Sequence, residues 1–163
     1  MKTIYLIGFM GSGKTTVAEI LCQQESLTLM EMDDLIEQSE GRKIKEIFAE
    51  NGEAYFRKLE TALLQEIPAE DVVVSTGGGV PMNPVNQELM RRGTVIFLDA
   101  SFDIINKRLS QDVNRPLWKG KEDEKFQLLE ERRPIYEQAA DYVMDVDEKS
   151  PELLAKEILH VLS

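Results

Sequence analysis

A chain of 163 residues, 42% hydrophobic and 30% charged, has the size and composition of a single globular domain with a real core. Thirty acidic against nineteen basic side chains give a net charge of −11, which opposes any general affinity for nucleic acid or an anionic membrane. No apolar stretch approaches the ~20 residues of a spanning helix, Met1-Lys2 leads into a strand rather than a signal sequence, and the lone Cys22 excludes an internal disulfide; a cytoplasmic protein that packs Cys22 inside is expected.

Ile4-Tyr5-Leu6-Ile7 reads as a short buried strand, and it runs directly into Gly8-Phe9-Met10-Gly11-Ser12-Gly13-Lys14-Thr15. That stretch fits the P-loop pattern of Gly, four residues and Gly-Lys-Ser/Thr, between a strand and a helix where the pattern has meaning. Gly11, Ser12 and Gly13 free the backbone N–H groups to turn inward, and with the first helical turn at Thr15 and Thr16 they form a nest for phosphate oxygens. Lys14 would lie along the β- and γ-phosphates, and Thr15 would offer its hydroxyl to Mg²⁺. Val17, Ile20 and Leu21 then recur at helical spacing.

Leu27 to Met30 is the second strand, ending in Glu31-Met32-Asp33-Asp34. If the strand alternation continues, Glu31 and Asp33 share one side while Met32 faces the other, which puts two carboxylates at a strand's C-terminal end. A helix from Leu35, capped by Asp33 or Asp34, is the simpler explanation of one acid but not of a spaced pair. Gly41 interrupts the next helical stretch, Ile44, Ile47 and Phe48 supply an apolar face, and Asn51-Gly52 breaks it again. Glu53 to Ile67 forms a longer helix with Phe56, Leu59, Leu63 and Leu64 on one stripe; from spacing alone Arg57 reads as a solvated surface charge.

Val72-Val73-Val74 is a buried parallel strand that terminates in Ser75-Thr76-Gly77-Gly78-Gly79. Three glycines exceed the needs of a turn and invite close approach by a ligand. Ser75 stands where many P-loop hydrolases carry an acid, which moves metal duty to Thr15 and the Glu31/Asp33 pair. Met82 to Arg92 is helical in pattern, Thr94 to Leu98 is the fourth strand, and Ser101 or Asp103 caps a helix over 104–109. Residues 110–123 are polar and cationic, with Arg115, Trp118, Lys119 and Lys121, and a loop of that kind in an acidic chain reads as a mobile lid over phosphates. Phe126 to Ala140 is helical, but Pro134 should kink or break it, leaving Arg132 and Arg133 at an irregularity. Tyr142-Val143-Met144 is the last strand and Pro151 to Leu162 the closing helix. The alternation of strands and helices predicts an α/β fold, a three-layer α/β/α arrangement around a five-stranded parallel sheet, with ligands at the strand C-termini.

Several of these stretches recur in a fixed order over nearly the whole chain. The P-loop, Asp33 to Arg42, Phe56-Arg57, Gly77-Gly78-Gly79, Arg115-Pro116-Leu117 and Arg132-x-Pro-x-Tyr136 together resemble the shikimate kinases. The resemblance implies one domain over 1–163, with the lid near 110–123 and a substrate-binding helical region near 33–62. It implies phosphorylation of the 3-hydroxyl of shikimate by ATP, giving shikimate 3-phosphate and ADP in the route to chorismate, with Mg²⁺ as cofactor; a monomer is the default assembly. By position, Asp33 would contact the shikimate hydroxyls, Arg57 and Arg132 would hold the carboxylate, and Gly77, Gly78 and Gly79 would approach the substrate. Lys14 and Arg115 would reach the phosphates, Arg108 would pack near adenine, and Thr15 with Glu31 would hold the metal. Glu31 departs from the Asp usual in the family, and its extra methylene moves the carboxylate outward by about 1.5 Å. Another small-molecule P-loop kinase, such as a gluconate kinase, shares the phosphate machinery but not the two carboxylate-holding arginines. A GTP-dependent switch would want Asn-Lys-x-Asp, and Asn106-Lys107-Arg108-Leu109 lacks the Asp.

Overall fold

Apolar runs too short for helices become strands, and those flanked on both sides by other strands are buried on both faces. The computed structural model describes residues 1–111 and 121–163. Its strands β1 (Ile4–Ile7) and β3 (Val72–Ser75) are buried at every position. They lie beside β4 (Thr94–Asp99) in one parallel sheet ordered β2-β3-β1-β4-β5, whose edges are β2 (Thr28–Glu31) and β5 (Tyr142–Asp145). The expected five-stranded parallel sheet is therefore present. Because β1 is flanked by β3 and β4, the order reverses at β1, and the crevice beyond its C-terminal end is the natural ligand position of such a sheet.

Helices α1 (Lys14–Glu25) and α8 (Pro151–Leu162) pack against each other, and α1 also lies on β1, β2 and β3. The main core is built on this sheet and these helices, with Leu6, Ile7, Val17, Leu21, Val73 and Ile158 all inaccessible or nearly so. A second, smaller core joins α2 (Met32–Glu40), α3 (Ile44–Asn51) and α4 (Glu53–Gln65) through Ile36, Ile47 and Phe56. Each of these side chains contributes about 1.5–3 kcal/mol by burial. Arg42 bridges Glu40 and Glu50, and the Tyr55 hydroxyl donates to Glu40, so the α2–α3 turn is also tied to α4. The three helices thus form a body with its own packing beside the sheet.

Three local expectations need correction. The helix expected over 82–92 is split into a 3₁₀ turn at Val80–Met82 and α5 (Pro84–Met90), because the Asn83 side chain accepts from the Val85 N–H and Pro84 opens the helix at its first position. Pro134 does not break its helix: α7 (Glu122–Ala139) runs through it for 18 residues, packed against β4 and the 3₁₀ turn, so Arg132 and Arg133 stand on regular helix. The strand β2 ends at Glu31 and α2 begins at Met32, so Asp33 is in the first turn of a helix and not on a continuing strand. The helix α6 (Phe102–Ser110) is capped by Ser101, as expected. Of the lid expected over 110–123, residues 112–120, with Arg115 and Trp118, lie outside the described residues, while Ser110 ends α6 and Glu122 begins α7.

Candidate active site

Gly11 and Gly13 adopt φ of 81° and 95°, a region that side chains with a Cβ disfavour, and this lets the loop after β1 curl before α1 begins at Lys14. The first turn of α1 and the preceding amides then face one concavity, the arrangement that binds anions. Lys14 is 9% exposed and folds back across the loop, its ammonium donating to the Gly8 carbonyl at 2.6 Å and the Phe9 carbonyl at 3.1 Å. Ser12 is buried, and its hydroxyl has no hydrogen-bond partner among the described residues. An unpaired buried hydroxyl is costly in a finished core, and such groups concentrate where a ligand completes them.

Parallel pairing of β2 with β3 sets Glu31 level with Ser75, and pairing of β3 with β1 sets Ser75 level with Leu6. This register brings the Thr15 and Ser75 hydroxyls to 3.1 Å. Glu31 serves as the N-cap of α2, one carboxylate oxygen accepting from the Asp33 N–H at 2.9 Å. That bond is why the chain turns into a helix at Met32 and carries Asp33 inward. The two acids still reach one cavity while Met32 is fully buried, so the division of sides holds even though helix, not strand, produces it. Burial pushes the Glu31 carboxyl up to about 7; the Asp33 N–H and Lys14 oppose this, while the Asp33 and Asp34 carboxylates add to it.

A folded-state value above the unfolded one means that the stabilising contribution is complete below about 4.5 and is lost as pH rises through about 7. Chelator-treated protein is therefore expected to lose about 2–4 °C of melting temperature between pH 6 and 8, after discounting for the solvent-facing side of Glu31. Glu31→Gln, which can still cap α2, should flatten that dependence. Identical slopes in variant and wild type would refute it.

Beyond Glu31 the cavity is lined by three further stretches: the P-loop, Ser75 to Gly78, and Arg108-Leu109 with Pro151. Its volume is about 730 Å³. Arg108 donates to the Gly11 carbonyl at 2.9 Å, so this guanidinium already rests on the phosphate loop. Next to Gly77 and Gly78 a second set of groups gathers. A Cβ on Gly77 would stand 2.9 Å from a Glu60 carboxylate oxygen and 3.2 Å from an Asp33 oxygen. A Cβ on Gly79 would stand 2.5–2.8 Å from the Arg57 guanidinium, and one on Gly78 would stand 3.3 Å from that of Arg132. Two guanidiniums therefore rest against bare backbone, and a side chain at either glycine would have to displace them.

Arg57 is thus not a plain surface charge. It donates to Glu60 at 2.8 Å and more loosely to Glu53 at 3.3 and 3.4 Å. Glu60 is 1% exposed; burial pushes its carboxyl up, and Arg57 pulls it back. Removing Arg57 would strand the buried Glu60 carboxyl, whereas Arg57 is a third exposed and keeps Glu53 as a second partner. Arg132 lies over the Phe9 ring, 5.9 Å from its centroid, whereas its neighbour Arg133 points to Asp99 at the end of β4 and forms an ion pair there.

The structure thus brings Lys14, Thr15, Thr16, Glu31, Asp33, Gly77, Gly78 and Arg108 to one cavity, and joins Gly79, Arg57 and Arg132 to its flank. Arg115 lies outside the described residues. Glu60 was missed by the sequence reading, although a signal existed: it falls four residues from both Phe56 and Leu64, inside the apolar stripe of α4. Ser75 was noted only for the acid it replaces. Its partner, Thr15, is sixty residues away.

The sequence pattern of the family described as shikimate kinase matches residues 10–163. A shikimate kinase of Sulfurihydrogenibium sp. (strain YO3AOP1) is 45% identical over 161 residues, covering 98% of this chain and 96% of the relative. One from Persephonella marina is 42% identical over 161 residues, 98% of each chain. Among solved structures, Acinetobacter baumannii shikimate kinase in complex with shikimate superimposes with a TM-score of 0.92 at 33% identity, covering 99% of this chain and 93% of the other. The Aquifex aeolicus shikimate kinase structure gives 0.87 at 43% identity, covering 98% and 95%.

Proposed function

This chain belongs to the shikimate kinase family and is a kinase acting on shikimate; from that premise we propose the residues that carry the reaction and its outcome, shikimate 3-phosphate and ADP. The observation that carries the assignment is the position of Gly78. A Cβ there would lie 3.3 Å from the Arg132 guanidinium and 3.7 Å from both Gly8 O and Met10 N of the P-loop. The phosphate loop and the Arg132 guanidinium thus meet at one residue, with Arg57 against the next, Gly79.

In this reading ATP lays its phosphates along the P-loop amides, with the base toward Arg108. Lys14 exchanges the Gly8 and Phe9 carbonyls for the β- and γ-phosphate oxygens. Arg57 and Arg132 receive the shikimate carboxylate, Arg57 from α4 and Arg132 from α7. Planar guanidiniums match a carboxylate geometrically, and their prior contact with Glu60 and with glycine backbone limits their freedom before binding. Gly78 and Gly79 supply close backbone, while Asp33 orients the hydroxyl that attacks. Phosphoryl transfer through a loose transition state asks mainly for positioning and charge compensation, so Asp33 is an orienter first and a proton acceptor second. Arg115 adds compensating charge to the γ-phosphoryl. The α2–α4 body is the substrate-binding region and 110–123 the lid.

The donor set fits Mg²⁺: hard oxygens from Thr15, Glu31 and Asp33 line the cavity, and no group of three or more acids, histidines or cysteines that would suit an all-protein metal cage exists among the described residues. That is the sparse coordination Mg²⁺ accepts when phosphates and water complete its shell. Bound there by Thr15 and Glu31, it would neutralise phosphate charge. Ser75 would keep the Thr15 hydroxyl turned toward it. Every residue in this account comes from one chain, so a monomer suffices, and dependence on ATP supports a cytoplasmic enzyme. No helix among the described residues is long and apolar enough to cross a membrane.

The test is ADP formation from MgATP with shikimate, with gluconate or with no acceptor. Strong stimulation by shikimate alone is expected. Stimulation by gluconate instead would transfer the assignment to another sugar-acid kinase, and none at all would remove the acceptor assignment.

A further inference from the structure

The triple glycine has three carbonyls, and each has a different holder. Gly77 O accepts from the Val80 N–H at 3.1 Å, and Gly79 O from the Met82 N–H at 3.1 Å, both within the 3₁₀ turn that follows. Gly78 O is held from outside the turn, by the Tyr136 hydroxyl at 2.7 Å. Tyr136 is fully buried and its ring leans on Phe97, with centroids 5.1 Å apart. It lies four residues after Arg132 on α7, so one helix face delivers both the guanidinium against Gly78 and the hydroxyl on that residue's carbonyl. Burial pushes the Tyr136 phenol up, with Arg132 and Arg57 opposing, so the group remains a donor throughout the working pH range.

A trans peptide is planar, with its C=O and N–H pointing in opposite directions. The Gly78–Gly79 peptide lies between Arg132, against Gly78, and Arg57, against Gly79. Anchoring its oxygen toward α7 therefore fixes the direction of the Gly79 N–H. Without that anchor a glycine–glycine peptide is the freest unit in the chain to rotate.

We propose that Tyr136 is a positioning residue for the acceptor: by holding the Gly78 carbonyl, it sets the Gly78–Gly79 peptide plane between Arg57 and Arg132 and so aims the Gly79 N–H at the acceptor carboxylate. This rests on the reading of shikimate as acceptor. Tyr136 acts through the groups it holds: its hydroxyl donates to the Gly78 carbonyl and also shares a side-chain hydrogen bond with Arg132.

The test is Tyr136→Phe in the whole enzyme, with ATP and shikimate varied separately. Loss of one positioning hydrogen bond corresponds to about a five- to tenfold rise in the shikimate KM. The ATP KM is expected to stay within about twofold, since the P-loop is held by its own glycines and α1. An unchanged shikimate KM, or equal rises in both constants, would overturn the proposal, because general loosening has no reason to discriminate between the two substrates. If the Phe variant does not fold, Phe97→Leu keeps the hydroxyl but removes the ring supporting it, and the same split at about two- to threefold is expected. An equal effect on both substrates overturns the proposal there too. Wild-type enzyme without activity on shikimate would sink the acceptor reading and this inference together; a failed split with active wild type sinks only the role of Tyr136.

Discussion

Asp33→Asn is expected to lower kcat for shikimate phosphorylation by about 10²–10⁴-fold while leaving MgATP binding nearly intact. Asp33 enters the cavity from the first turn of α2, its N–H tied to Glu31 and one carboxylate oxygen beside Gly77. Asn keeps the size and one acceptor oxygen, so α2 should still begin at Met32. What disappears is the negative charge that draws the attacking hydroxyl's proton and holds its oxygen in line. Those interactions strengthen on the way to the transition state, so the loss belongs in kcat more than in KM. An orienting role also makes Asn better than Ala, because one oriented hydrogen bond survives. Steady-state kinetics of both variants, with nucleotide titration as the control, decide it. A kcat within twofold of wild type would take Asp33 out of the reaction.

Lys14→Met should lower kcat by about 10²–10³-fold, the scale seen when one preorganised donor to developing charge is removed. This ammonium is nearly buried and bridges two loop carbonyls at 2.6 and 3.1 Å, next to the place where it acts. Met matches the length of the stem but carries no charge to set against the γ-phosphoryl oxygens. Lys14→Arg is not expected to rescue, because a planar fork does not replace a compact point charge in a loop closed around it. Melting curves separate chemistry from folding. A variant that melts like wild type and retains more than a tenth of its kcat would contradict the role assigned to Lys14.

Glu31 shows how one local feature was read correctly in kind and incorrectly in form. Alternation along a strand placed Glu31 and Asp33 on one side, and both do line the cavity, yet they do so across a strand-to-helix junction that Glu31 itself caps. Pro134 is the opposite case. A strong local signal for a break was overridden by tertiary packing of α7 against β4 and the 3₁₀ turn. Arg57 is a third: helical spacing alone assigned it to solvent, the family resemblance drew it to the carboxylate, and its contacts with Gly79 and the buried Glu60 show what it touches.

What the amino-acid order determined by itself is everything governed by short-range geometry. Strand, glycine-rich loop and helix follow from apolar runs, φ-permissive glycines and 3.6-residue periodicity, and these place Gly11 to Thr16 without reference to any other segment. What only the tertiary structure decided is which distant groups meet. Ser75 finds Thr15 because β3 pairs beside β1 in a fixed register; Arg57, Gly79 and Arg132 converge because α4 and α7 both close on the end of β3. Glu60 becomes a buried counter-ion only once that closure removes water from it. Such pairings depend on strand order and helix packing, which act between segments far apart in the chain, sixty residues for Thr15 and Ser75, and leave no period in it.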